Sequence, residues 1–217
     1  SIHTWYSNKN QSYTYSGYKI FVAEVASTCN EALLIRHLLK NSKDKQEKAY
    51  LLNYFLESFR GTLFRQTMFA EFEQKAHEMA ATGESLTSQS LCSIYKKLNE
   101  DYFGPDTVTD PEIQYEWERI PHFYTPFYVY QYATSFASSA NLYDRITNEK
   151  YGMEERGAAT SAYLELLKSG GNDHPMNQLK KAGVDLEKEE SFHAVAKEFD
   201  RLLDQLESEL EKLENNK

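Results

Sequence analysis

Apolar residues that recur every three or four positions constrain this chain more than any other feature of its sequence. The clearest run extends from Asp44 to about Ala81 and places its leucines and phenylalanines at that spacing. This spacing brings apolar side chains to one face of an α-helix, whereas a half-buried strand needs alternation at every second residue. No run with a period of two is convincing, and the 217 residues include only nine glycines and five prolines. The sequence therefore predicts an all-α fold.

Capping and turn residues divide the chain into several helices. Thr87 has the residue type of an N-cap, and Gly104 followed by Pro105 ends the helix that Thr87 opens. On such signals we expect helices over residues 20–41, 44–81, 87–102, 110–120, 126–148, 153–167, 175–181 and 189–213. Residues 1–19 are polar and rich in tyrosine, which predicts a loop with a short hairpin at 13–18. We expect a single domain over 1–217, with the loop at 1–19 and helices over 20–217.

Composition excludes several classes of protein. The 24 basic and 33 acidic side chains give a net charge of −9, which argues against a nucleic-acid partner. No apolar run approaches the ~20 residues that a membrane-spanning helix needs, so we expect no membrane partner. Cys29 and Cys92 lack CxxC spacing, which indicates reduced thiols and a cytoplasmic location. The chain opens on Ser1 without a methionine, so we expect a fragment of a longer protein.

Glu24 is the most informative single residue, because apolar residues flank it on both sides in a helix that we expect to be buried nearly all round. A carboxylate buried there costs free energy unless a metal ion, a cation or a donor compensates its charge. Glu31 follows two turns later on nearly the same face, which suits a metal ligand and an outer acceptor for an imidazole. The alternative is a buried ion pair between Glu24 and one of three arginines, Arg36, Arg60 or Arg65.

A second candidate site lies in residues 122–132, where His122 precedes four tyrosines that fall within nine positions. If a helix begins at Pro126, Tyr128 and Tyr132 share one face of it and Tyr130 points away. A histidine and phenols that converge on a cleft can donate hydrogen bonds to a developing oxyanion. The alternative is ordinary packing of aromatic rings in a core, with each hydroxyl bonded to a partner.

Several segments together resemble the oligoendopeptidase F family, within the thimet-oligopeptidase-like zinc metallopeptidases. Residues 1–8 resemble the stretch that follows the family's HELGH zinc-binding helix, and residues 21–31 resemble the helix that carries the third zinc ligand. The segments 64–73, 122–134, 166–171 and 180–186 are similar to further family blocks and follow in the expected order. The resemblance covers essentially the whole chain, although the chain itself contains no HExxH motif.

The resemblance implies a role for each candidate residue. It implies that Glu24 is the glutamate ligand of one zinc ion (Zn2+) held by two histidines and a glutamate, with Glu31 near those histidines. It also implies that His122 and the tyrosines, of which we favour Tyr128 and Tyr132, bind substrate and stabilise the tetrahedral intermediate. The remaining zinc ligands and the general base would come from an N-terminal remainder of the same protein.

These implications predict the C-terminal part of the catalytic domain of a zincin-type helical metalloendopeptidase. The parent protein would hydrolyse short oligopeptides by zinc-activated water, whereas this chain alone would neither hold zinc tightly nor cleave peptides, because zinc sites use three or four protein ligands. The competing hypothesis is a non-enzymatic helical binding or scaffold module, in which the aromatic stripes only form the core.

Overall fold

The computed structural model describes residues 2–215, and helices joined by turns and loops make up its secondary structure, with no strand among these residues. Its α-helices are α1 (Ile2–Asn10), α2 (Ile20–Asn41), α3 (Lys45–Ser58), α4 (Arg65–Thr82), α5 (Ser88–Phe103), α6 (Tyr130–Thr147), α7 (Met153–Lys168), α8 (Pro175–Lys181) and α9 (Glu190–Glu214). Short 3-10 helices span Tyr13–Tyr15, Pro111–Arg119 and Pro121–Tyr124. The prediction of an all-α fold is confirmed. Within residues 2–215, none of the helices combines the length and hydropathy that crossing a lipid bilayer requires.

Helices with strong local signals begin and end where the sequence predicts. Thr87 caps α5: its hydroxyl accepts a hydrogen bond from the Ser90 backbone N–H at 3.1 Å, and the Ser90 hydroxyl accepts one from the Thr87 N–H at 3.0 Å. Gly104 follows the last residue of α5 with φ of 75°. Gly183 lies two residues after the end of α8, with φ of 90°. Both glycines adopt backbone conformations that disfavour residues with a Cβ atom.

The predicted loop over residues 1–19 is wrong for its first half, because Ile2–Asn10 forms helix α1. The predicted hairpin at 13–18 is also wrong, and Tyr13–Tyr15 forms a 3-10 turn instead. Tertiary contacts explain the difference: α1 packs against α7, and this packing buries His3 and Ser7. The Ser7 hydroxyl donates a hydrogen bond to the Ser16 carbonyl at 2.5 Å. The polar composition of residues 2–10 gives no signal for a helix, because the stability of α1 comes from packing against α7, which is distant in the sequence.

A turn of π-helix interrupts the predicted long helix over residues 44–81. The helix runs as α3 to Ser58, continues as a π-helix over Phe59–Phe64, and resumes as α4 at Arg65. Gly61 lies inside the π segment. A π-helical turn of this kind shifts the register of the apolar face without breaking the helix.

Contacts between Cα atoms divide the chain into two compact units. The first unit comprises the residues up to Arg60 together with those from Thr134 onward, and the second comprises Gly61–Ala133. In the first unit, α3 packs on α9, α1 on α7 and α2 on α3. In the second unit, α5 packs on α4 and on the 3-10 helix Pro111–Arg119. The second unit is thus an insertion in the sequence of the first, and the single domain over 1–217 stays a prediction.

Backbone contacts at Gly170 and Gly171 connect the segment after α7 to the segment before α2. The Gly171 N–H donates a hydrogen bond to the Tyr15 carbonyl at 2.8 Å. A Cβ atom on Gly170 would lie 2.2 Å from that same carbonyl oxygen, and one on Gly171 would lie 2.4 Å from the Gly17 carbonyl oxygen. Glycine is therefore required at both positions, because any side chain would displace the neighbouring backbone.

A buried carboxylate organises the core of the second unit. Glu116 accepts hydrogen bonds from the Arg65 guanidinium and from the Tyr95 hydroxyl, each at 2.6 Å. Tyr95 is fully buried, and Arg119 also pairs with Glu116. Burial raises the pKa of the Glu116 carboxyl, but the hydrogen bonds from Arg65 and Tyr95 outweigh burial and hold that pKa below its ordinary value. The core around Tyr95 includes Met68, Phe69, Phe72, Leu98, Ile120 and Val129.

We expect the substitution Glu116→Ala to destabilise the chain by about 3 kcal/mol, because it leaves a buried phenol and a guanidinium without their shared acceptor. Urea denaturation measures the free energy of unfolding. Glu118→Ala on the same 3-10 helix is the matched control, since Glu118 is exposed. Equal losses in the two variants would contradict the stabilising role of the Glu116 network.

The same carboxylate predicts a pH dependence whose sign follows from its lowered pKa. The stabilisation is fully present above the unfolded pKa of about 4.3 and is lost as the pH falls through the lower pKa of the folded state. The difference in unfolding free energy between the wild type and Glu116→Gln should therefore shrink as the pH falls below about 4. A difference that stays constant down to low pH would contradict this assignment.

Candidate active site

Helix α2 carries Glu24 on the border of its buried face. The buried side chains of α2 are Val22, Val25, Ala26, Cys29, Ala32 and Ile35, which form one stripe. Glu24 lies beside this stripe and is half-buried. The expectation that α2 is buried nearly all round is therefore wrong, because the apolar residues Phe21 and Ala23 are also only half-buried. The carboxylate reaches the surface of the unit instead of its interior.

Polar neighbours on α2 hold the Glu24 side chain. The Ser27 hydroxyl donates to the Glu24 Oε2 atom at 3.1 Å and lies 3.0 Å from the Glu24 carbonyl oxygen. The Thr28 hydroxyl donates to the same carbonyl at 2.6 Å. Within residues 2–215, no hydrogen bond reaches the Glu24 Oε1 atom and no cation lies within ion-pair distance of the carboxylate. One carboxylate oxygen is thus anchored and the other remains available.

The alternative in which an arginine neutralises Glu24 is wrong for all three arginines, because each of them pairs with another carboxylate. The pairs are Arg36 with Glu198 at 2.5 Å, Arg60 with Glu57 at 2.7 Å, and Arg65 with Glu116 at 2.6 Å. None of these three arginines therefore forms an ion pair with Glu24.

Glu31 lies two turns after Glu24 and is exposed. Its Oε1 atom accepts a hydrogen bond from the Tyr54 hydroxyl of α3 at 2.8 Å. This hydrogen bond to an anionic acceptor raises the pKa of Tyr54 above its ordinary value. Glu31 thus acts as a hydrogen-bond acceptor toward α3, and its second oxygen faces no partner in the described part of the chain.

The second unit brings His122, Tyr128 and Tyr132 together. The His122 ring stacks on the Tyr128 ring with centroids 5.5 Å apart, and the Tyr132 ring meets both rings edge-on at 5.9 and 5.7 Å. The Tyr132 hydroxyl lies 3.5 Å from the His122 Nε2 atom. His122 is exposed and both tyrosines are half-buried, so the three rings form a surface cluster instead of a core.

The helix that was expected to begin at Pro126 begins at Tyr130, so the argument that placed Tyr128 and Tyr132 on one helical face is wrong. Tyr128 lies in the turn before α6, while Tyr132 lies in its first turn. The Tyr128 and Tyr132 rings still meet. The turn directs Tyr128 back toward His122, beside which Tyr132 also lies. Tyr130 is 42% exposed.

An unusual backbone conformation produces this turn. Phe127 has φ of 57°, and no other non-glycine residue among residues 2–215 has a positive φ. Its backbone N–H donates a hydrogen bond to the Glu73 Oε1 atom at 2.6 Å. Glu73 lies on α4 and is 7% exposed. Sequence analysis missed both residues, since no residue type at 127 signals a left-handed turn and Glu73 reads as the charged margin of an aromatic stripe.

Zinc is the metal that the sequence resemblance implies, and the described residues fit it as a partial site. Residues 2–215 contain no group of three or more histidine, cysteine, aspartate or glutamate side chains that could hold a metal ion. Glu24 offers an anchored carboxylate with an available oxygen, and Glu31 offers another on the same helix. Both glutamates belong to the first unit, whereas His122, Tyr128 and Tyr132 belong to the second.

Comparison with known proteins identifies the relatives of this chain. The chain is 47% identical over 216 residues to oligopeptidase PepF of Bacillus subtilis, a match that covers 100% of this chain and 31% of that protein. It is 48% identical over 212 residues to the plasmid-borne oligoendopeptidase F of Lactococcus lactis subsp. cremoris, covering 98% of this chain and 34% of that protein. The chain thus spans about one third of the length of these relatives.

The fold agrees with this relationship. The crystal structure of oligoendopeptidase-F from Enterococcus faecium superimposes with a TM-score of 0.83 at 40% identity, covering 97% of this chain and 37% of that one. The sequence of residues 1–198 matches the model of Peptidase family M3. Since this match takes in nearly all the helices and every candidate site residue, the chain belongs to Peptidase family M3.

Proposed function

We propose that this chain contributes to the active site of a zinc metalloendopeptidase that hydrolyses short oligopeptides. The observation that carries the proposal is the Glu24 carboxylate, half-buried and oriented by Ser27, inside a segment that matches Peptidase family M3. Relatives that are 47% and 48% identical bear the names oligopeptidase and oligoendopeptidase. The whole activity requires residues that the 217-residue chain does not contain, since it has no HExxH motif.

Glu24 would be one ligand of the zinc ion, with two histidines and the general base supplied by the remainder of the polypeptide. The anchored Oε2 atom limits rotation of the carboxylate, which leaves the Oε1 atom to bind the metal. When bound, zinc supplies Lewis-acid activation of water. Glu31 would accept a hydrogen bond from a ligand histidine through the oxygen that Tyr54 does not occupy.

The ring cluster of the second unit would act on the substrate. Hydrolysis of a peptide bond places negative charge on the carbonyl oxygen, and phenol O–H groups stabilise that charge if they are already oriented. Tyr128 and Tyr132 supply such donors, and the stacked His122 ring restricts the rotation of Tyr128. His122 is exposed and can donate a hydrogen bond to a backbone carbonyl of the oligopeptide.

The isolated 217-residue chain should neither retain zinc through dialysis nor cleave a quenched fluorescent peptide. One carboxylate cannot replace the three or four protein ligands of a zinc site. Metal analysis by mass spectrometry and a cleavage assay measure the two properties, with the full-length protein as the positive control. Stoichiometric zinc together with chelator-sensitive cleavage by the isolated chain would contradict this expectation.

In the full-length protein, Glu24→Ala should weaken zinc binding by more than about 100-fold, because changes outside the ligand sphere already cost 10- to 100-fold. Zinc affinity is measured by competition with a chelating dye, and activity by peptide cleavage. Glu57→Ala is the control, since Glu57 is an exposed carboxylate of α3 that pairs only with Arg60 among described residues. Unchanged zinc content and activity in Glu24→Ala would refute the ligand assignment and favour a scaffold role.

Removal of one phenol from the ring cluster should lower kcat. We expect Tyr128→Phe or Tyr132→Phe in the full-length enzyme to lose roughly 100-fold in kcat with a smaller change in KM, as for the removal of an oxyanion donor. Tyr124→Phe is the matched control, because Tyr124 is 84% exposed in the same segment. A wild-type kcat in both variants would show that neither phenol acts in the reaction.

A further inference from the structure

We propose that Glu73 is a positioning residue that holds Tyr128 against His122 by fixing the backbone of Phe127. This inference rests on the proposed function, since it assumes that Tyr128 acts on the substrate. Glu73 and Phe127 are 54 positions apart in the sequence and meet through a single hydrogen bond within the second unit.

The turn at Phe127 is unfavourable without external support. A residue with a Cβ atom resists a φ of 57°, because the Cβ atom approaches the following carbonyl oxygen. Such conformations persist where the surrounding structure over-determines them, and they concentrate at functional sites. Pro126 and Phe127 form the turn that directs the next residue, Tyr128, toward His122.

Glu73 supplies the support on one side of Tyr128. Glu73 is 7% exposed, and its carboxylate accepts a hydrogen bond from the Phe127 backbone N–H at 2.6 Å, a short bond with a charged acceptor. One turn later on α4, the His77 ring stacks on the Phe127 ring with centroids 4.6 Å apart. Both contacts come from the same face of α4, so this helix holds the backbone and the side chain of Phe127 together.

Val129 supplies the support on the other side of Tyr128. It is 1% exposed and belongs to the aromatic core cluster that includes Phe72 and Tyr95. Tyr128 therefore lies between two fixed neighbours and has little freedom except rotation of its side chain. The buried Glu73 carboxylate holds the backbone N–H of the residue directly before Tyr128, which points to a function in placing this tyrosine.

The first experiment compares Glu73→Met, Glu73→Gln and the matched control Glu71→Met in the full-length enzyme. Glu71 lies on the same helix and accepts a hydrogen bond from the Tyr102 hydroxyl at 3.0 Å. We expect Glu73→Met to lose between about 10- and 100-fold in kcat through displacement of Tyr128, with KM changed much less. Glu73→Gln retains an acceptor oxygen and should stay within roughly threefold of the wild type, as should Glu71→Met.

The second experiment tests rescue. Glycine adopts positive φ values about as readily as negative ones, so Phe127→Gly removes the cost that the Glu73 hydrogen bond offsets. The double variant Glu73→Met with Phe127→Gly should recover several-fold in kcat relative to Glu73→Met alone. A residue that merely filled space in the core would show no such recovery, and its absence would overturn the proposal.

A third measurement does not depend on activity. Hydrogen exchange of residues 125–129 should be slow at the Phe127 amide in the wild type and at least about tenfold faster in Glu73→Met, which lacks the acceptor of that amide. If Glu73→Met does not fold, the comparison of exchange rates between Glu73→Gln and the wild type replaces it, with a smaller acceleration expected. Unchanged exchange at Phe127 in the folded variants would overturn the proposal.

Failure of the inference is distinguishable from failure of the proposed function. If Tyr128→Phe is impaired while Glu73→Met keeps the wild-type kcat, Glu73 does not position the tyrosine and the proposed function stands. If Tyr128→Phe keeps the wild-type kcat, the role of Tyr128 fails, and the inference about catalysis fails with it. Impairment of both variants, together with rescue by Phe127→Gly, supports both.

Discussion

The burial of a single stripe of α2 determines where Glu24 can point. Val22, Val25 and Cys29 lie in this stripe and fix the rotation of the helix about its axis. The stripe leaves Glu24 half-buried on the border between core and solvent, where the Ser27 hydroxyl reaches its carboxylate. Burial also raises the pKa of the Cys29 thiol to about 12, so this cysteine stays protonated and serves packing. The apolar stripe and the polar border thus divide structural and chemical roles within one helix.

The second unit separates these roles differently. Its core holds a carboxylate, Glu116, that accepts hydrogen bonds from Arg65 and Tyr95 and pairs with Arg119, and a second carboxylate, Glu73, that accepts a hydrogen bond from a backbone N–H. Both acids are buried, and each accepts a hydrogen bond from within the unit. The exposed chemistry of this unit is left to the ring cluster of His122, Tyr128 and Tyr132, which rests on a turn that these core contacts stabilise.

Much of the fold follows from local sequence signals, because several helix boundaries are decided by adjacent residues. Thr87 with Gly104 for α5, and Pro175 with Gly183 for α8, show this directly. Helix α1 could not be predicted in this way, since its polar sequence depends on packing against α7. Likewise, α6 begins at Tyr130 and not at Pro126, because the turn before it depends on Glu73, far away in the sequence.

The candidate site was also predictable only in part: its ring cluster was, but the burial of Glu24 was not. The grouping of His122 with Tyr128 and Tyr132 follows from sequence proximity, and the rings do meet. The expected burial of Glu24 was overstated, since a run of apolar letters does not specify how many faces of a helix other helices cover. Phe21 and Ala23 illustrate this, because both are apolar and only half-buried.

The contact between Gly170 and Gly171 and the segment before α2 has a consequence for the order in which native contacts form during synthesis. Gln11 donates a hydrogen bond to the Lys168 carbonyl, a partner 157 positions later, beside the Gly171 contact to Tyr15. Chains emerge from the ribosome with the N-terminus first, so α1 and its connector must wait until Lys168 and Gly171 have been made before they acquire these native neighbours. The helix that carries Glu24 can therefore form early, but the path of the chain leading into it is settled only after the residues that follow α7 have been made.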